Sequence, residues 1–123
     1  MLVTERFAEL MASPGEVPLD VACLLIAAHA DRHVDIDVEL ARLDVLATGC
    51  TFGDEASVRA MLFGELWFRG NRDDYYDPDN SFLDKVLDRR LGLPISLSVL
   101  LMEVGRRAGI HYCLLYTSDA ADE

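Results

Sequence analysis

Long apolar runs are missing from this 123-residue sequence. The longest, Val21 to Ala28, is far shorter than a bilayer span, and Met1 to Leu10 carries Glu5, Arg6 and Glu9. Neither a transmembrane helix nor a signal peptide is expected, and no membrane partner. Cysteine is scarce: Cys23, Cys50 and Cys113 have neither disulfide nor metal-site spacing. They fit a reducing compartment, so the expected location is the cytoplasm. Cations are the third shortage, with 11 Lys and Arg against 22 Asp and Glu and a formal charge of −11. That balance opposes steering onto a phosphate backbone, so nucleic acid is not an expected partner. The Arg89-Arg90 and Arg106-Arg107 pairs do not change this, because each falls near the end of a predicted helix, where the macrodipole favours cations. Internal repeats, low-complexity linkers and, before Ile110, period-2 strand alternation are also absent.

What remains is the composition of one small folded domain, 51% apolar and 27% charged. Its apolar residues recur at helical spacing. Val3 to Met11 reads as a short helix stopped by Ser13-Pro14-Gly15, and Pro18 opens a largely apolar second helix reaching Ala30 with Cys23 inside it. Asp35 or Asp37 can cap a third, with Ile36, Leu40, Leu43 and Ala47 on one face and Gly49 at C′. Asp54 caps a fourth, with Val58, Met61, Leu62 and Leu66 inward and Gly70 at its end. Ser81 to Asp84 has capping-box form, which starts a fifth helix near Ser81 and ends it at Leu91, with Gly92 as C′ residue and Pro94 as breaker. Pro94 also opens the sixth, Ile95 to Ala108, with Ile95 and Leu97 among its core candidates.

The run Asp73 to Ile110, DDYYDPDNSFLDKVLDRRLGLPISLSVLLMEVGRRAGI, resembles the signature of the bacterial SirB-type transglutaminase-like family. FRGNRDDYYDP is its most specific phrase, and the similarity extends over Pro18 to Ala47. The resemblance implies a domain related to the papain and transglutaminase fold, in longer relatives often followed by tetratricopeptide helices. The expected fold class is therefore mainly α: about six helices forming the N-terminal helical half of an α+β domain whose antiparallel sheet is missing. Ile110-His111-Tyr112 looks like the start of its first strand. Cys113 to Glu123 continues no pattern and is similar to translated adapter read-through, so the domain is expected to occupy 1–112 and the tail 113–123 to be non-native.

Catalysis in the resembled class implies a cysteine at the start of the central helix, activated by the helix dipole and served by a His and an Asp or Asn from later strands. Pro94-Ile95-Ser96 stands there instead. Ser96 is the one hydroxyl available as a catalytic candidate, and His111 lies at the far end of the same helix, roughly 18 Å away at the helical rise. No catalytic residue is assigned on that basis. Function is expected to be a non-catalytic protein- or peptide-binding or regulatory module. The alternative is an amide- or ester-acting hydrolase or acyl-transferase completed by residues downstream. The expected binding surface comprises Asn71, Tyr75, Tyr76, Asn80, Arg89, Arg90 and Ser96. No cofactor is expected, and no metal. Asp73, Asp74, Asp77 and Asp79 place Pro78 where a calcium loop needs Gly, while His29 and His33 lack further ligands in a fixed shell.

Overall fold

Pro18, extended at φ −65° and ψ 110°, leads into α1 (Leu19–Ala30). The computed structural model describes residues 18–112. The predicted Val3 to Met11 helix and the Cys113 to Glu123 tail lie outside the described residues. Leu24, Leu25, Ala27 and Ala28 turn α1 into the core, while Cys23 sits half-buried at its margin. In α2 (Ile36–Thr48), the Asp35 carboxylate accepts from the Asp37 and Val38 N–H groups at 3.1 and 3.3 Å. This is the expected cap. Gly49 closes the helix in right-handed geometry (φ −82°), so it is not the left-handed C′ residue expected of it.

Asp54 caps α3 (Glu55–Arg59) through Ser57 N–H. The helix then widens into a π-helical turn, Ala60–Glu65, closed by the Leu66 N–H on the Met61 carbonyl at 2.9 Å. The predicted continuation to Gly70 fails because Trp67 takes positive φ (58°), which no helix can propagate. Arg69–Gly70 instead forms β1, paired in parallel with β2 (Leu91–Gly92). A two-residue strand carries no alternation to detect, so it leaves no periodic signal.

Pro78–Ser81 forms a 3₁₀ turn and α4 spans Leu83–Arg89. Phe82 occupies the N-cap position with no side-chain bond, so the predicted Ser81 capping box does not form. Arg90 (φ 59°) takes the left-handed position expected of Gly92. Gly92 is required for a different reason: a Cβ there would lie 2.7 Å from Ser96 Oγ. Pro94 opens α5 (Pro94–Arg107), which is packed against α1, α2, α3 and α4. Leu100, Leu101 and Val104 are buried beside Leu24, Leu43, Val58, Leu62 and Val86. Ile95, a core candidate by sequence, is 70% exposed, and Leu97 is half-buried. The described residues are thus mainly helical, with five α-helices, and Ile110-His111-Tyr112 forms no strand among them. Tyr112 instead lies against Gly105 and donates to the Glu55 carboxylate at 2.6 Å.

Candidate functional site

The segment between β1 and α4 is held by a buried amide network. Asn71 Nδ2 donates to Asn80 Oδ1 at 2.9 Å, and Asn71 Oδ1 accepts from Asp74 N–H at 3.1 Å. Asn80 Nδ2 donates to the carbonyls of Asp74 and Tyr75 at 2.9 and 3.0 Å. The Asn80 carbonyl in turn accepts from Ser96 Oγ at 2.7 Å, and Ser96 Oγ accepts from Leu93 N–H at 2.9 Å. Asn80 has no exposed surface, and Asn71 and Ser96 are each 7% exposed. Low dielectric strengthens such a network and makes any broken member costly.

Its outward product is a tyrosine pair. Tyr75 and Tyr76 meet edge to face, centroids 5.3 Å apart, with Tyr76 90% exposed. Arg89 reinforces the base of the loop, 3.1 Å from Asp77 and 3.6 Å from Asp79. Asp77 also accepts from Asp79 N–H at 3.0 Å. Of the seven residues expected to form a surface, Asn71, Asn80 and Ser96 are therefore buried scaffold, because each is consumed by backbone bonds. Tyr75 and Tyr76 project, and Arg89 clamps the loop acids. Arg90 turns away to donate to the Leu66 carbonyl at 3.1 Å.

Burial raises the Cys23 thiol pKa, helped by the nearby Glu103 and Asp20 carboxylates, and burial likewise raises Cys50. Both run opposite to the lowered pKa of an activated thiol. Among the described residues no group of three or more His, Cys, Asp or Glu comes together as a metal site. His29, His33 and His111 are exposed.

Several groups escaped sequence reasoning. Trp67, exposed and left-handed, carries the Arg69 guanidinium over its ring at 4.2 Å. Arg107 joins three helices, 2.6 Å from Asp20, 2.6 Å from Asp44 and 3.3 Å from Glu103. Its position at a helix end was legible, but its partners Asp20 and Asp44, distant in sequence, were not. Two concavities flank β1. One, of about 460 Å³, runs between α2 and α4 over Val38, Val45, Leu66, Phe68 and Leu87, with Arg42 and Arg90 on its rim. The other, of about 410 Å³, is formed by Arg69 to Asp73 and Leu91.

Residues 31–115 match the Transglutaminase-like superfamily. A UPF0162 protein of Xylella fastidiosa is 42% identical over 105 residues, covering 76% of this chain and 37% of that protein. A UPF0162 protein of Vibrio cholerae is 47% identical over 55 residues, 45% of this chain and 20% of the relative. F-box only protein 21 of Mus musculus is 43% identical over 54 residues, 44% of this chain and 9% of that protein. The chain thus spans little more than a third of the length of the Xylella relative. No solved structure matches. No helix among the described residues is long and apolar enough to cross a membrane.

Proposed function

The chain belongs to the transglutaminase-like superfamily, and from that premise we propose that it is a non-catalytic protein- or peptide-binding or regulatory module. The observation carrying this reading is the Asn71–Asn80–Ser96 network, which spends the Ser96 hydroxyl at the start of α5 on holding a loop whose two tyrosines face solvent. A rigid aromatic pair offers contact area at low entropic cost, as binding hot spots do. The raised thiol pKa values of Cys23 and Cys50 support the same reading, since neither thiol is poised as a nucleophile. Membership of the SirB type, a tetratricopeptide extension and a cytoplasmic location are parts of this proposal.

The test uses the intact-length protein. A serine-directed fluorophosphonate and a thiol-directed iodoacetamide should leave it unlabelled under native conditions. A stoichiometric protein partner should be lost in the Tyr75→Ala/Tyr76→Ala double variant, with circular dichroism unchanged. Labelling at Ser96 that disappears in Ser96→Ala would overturn the proposal in favour of a hydrolase. Partner retention in the tyrosine variant would remove the loop from the binding surface.

A further inference from the structure

Most described cations are already paired. Arg42, Arg59, Lys85, Arg89, Arg106 and Arg107 each lie against a carboxylate. Among the described residues Arg32, Arg69, Arg72 and Arg90 have no such partner, and the last three gather at the β1–β2 pair. In a chain of net charge −11, gathering three of four unneutralised cations at one place is conspicuous. Arg69 is held over Trp67 and Arg72 lines the adjoining 410 Å³ concavity, while Arg90 rims the apolar groove.

The backbone there is also unfinished. Arg69 N–H bonds the Arg90 carbonyl and Asn71 N–H the Gly92 carbonyl, each at 3.0 Å. Because parallel strands alternate the edge that successive residues face, the N–H and C=O of exposed Gly70 point away from β2. An open strand edge is a template for another extended chain. Trp67 stands beside it in a left-handed conformation, 63% exposed.

We propose that the free edge of β1 binds an acidic, extended peptide segment. Its backbone pairs with Gly70, its carboxylates engage Arg69, Arg72 and Arg90, and an apolar side chain seats in the groove beside Leu66 and Phe68. Charge complementarity selects the occupant. The same cations could be imagined on a phosphate backbone, but Asp73 and Asp74 adjoin the site and the whole chain is acidic, which repels a polyanion. A short peptide carries few charges and supplies the missing strand. This deepens the binding-module reading and rests on it, at a surface separate from the tyrosine pair.

Trp67 is the only tryptophan in the chain, so its fluorescence reports occupancy directly. The probe is a short fluorescein-labelled peptide alternating glutamate with valine. It should bind, perturb Trp67 emission, and weaken with added salt. Arg69→Glu/Arg72→Glu should lose about tenfold or more in affinity and gain binding to the same peptide with lysine in place of glutamate. Methylating alternate backbone amides of the peptide should abolish binding. Both exchanged side chains are exposed, so the far-ultraviolet spectrum should not move. Equal binding of the glutamate and lysine peptides, or indifference to amide methylation, would overturn the proposal, as would tighter binding of a single-stranded oligonucleotide. Partner binding that depends on Tyr75 and Tyr76 but not on the arginines would sink this edge while leaving the module reading standing.

Discussion

Ser96 Oγ donates to the Asn80 carbonyl at 2.7 Å, which makes the first turn of α5 and the end of the tyrosine loop one mechanical unit. Ser96→Ala leaves that carbonyl and the Leu93 N–H without their partner, which should cost about 1–3 kcal/mol of unfolding free energy. Gly92→Ala should destabilise too, because its Cβ would meet Ser96 Oγ at 2.7 Å. The two changes should not add, since removing the hydroxyl relieves the clash. Urea unfolding of both single variants and the double variant measures this coupling. Additive effects would show that the two residues do not share the site.

Asp84 supplies a prediction with a pH signature. It lies 5% exposed in the first turn of α4, and its Oδ1 has no hydrogen-bond partner. Burial raises its pKa, although Lys85 opposes the shift. With the folded pKa above the unfolded one, the ionised form costs stability. That cost is absent below the unfolded pKa and grows as pH rises through the folded pKa. Asp84→Asn should therefore stabilise the protein at neutral pH by about 0.5–1 kcal/mol, after losing some helix-dipole attraction. The gain should shrink as pH falls towards the usual carboxylate range near about 4. A gain that grew on acidification would contradict this assignment.

The two arginines ending α5 should behave unlike each other. Arg107, its side chain 13% exposed, is the nearer counterion of buried Asp20 at 2.6 Å, whereas Arg106, 57% exposed, lies 3.3 Å from Asp20 and 2.9 Å from Glu103. Arg107→Met takes the nearest cation from buried Asp20 and should cost about 3–5 kcal/mol. Arg106→Met should cost no more than about 1 kcal/mol. Thermal and urea unfolding compare them, and equal losses would mean that Arg106 shares the load.

How much of this was readable in the sequence depends on how local each signal is. Asp35 and Asp54 act on backbone groups two or three residues away, so their caps were predicted and found. The Asp73 to Asn80 stretch lies between two predicted helices, but the roles inside it are not separable from sequence. Asn80 and Tyr76 are both polar-capable residues in one short connection, and only the partners at Asn71 and Ser96 decide which goes inside. Ser81 has the right chemistry for a cap, yet the 3₁₀ turn over Pro78–Ser81 moves the helix start to Leu83. The β1–β2 pair joins residues far apart in sequence and is too short to leave a pattern. The arginine cluster around it was therefore hidden, although each cation was in view.

Trp67 offers the sharpest test of whether that hidden edge is functional. A bulky side chain at φ 58° costs roughly 1–2 kcal/mol, and its cation–π contact with exposed Arg69 returns only about 0.5–1 kcal/mol. Glycine adopts the same backbone without strain. Trp67→Gly should therefore leave stability unchanged or raise it by up to about 1 kcal/mol, read as the urea midpoint. A residue that a smaller one could replace at no structural loss is explained by what its surface does. The same variant should bind the labelled glutamate–valine peptide more weakly, measured by anisotropy since the intrinsic fluorophore is gone. Strong destabilisation with unchanged peptide affinity would make Trp67 a structural residue and take it out of the binding edge.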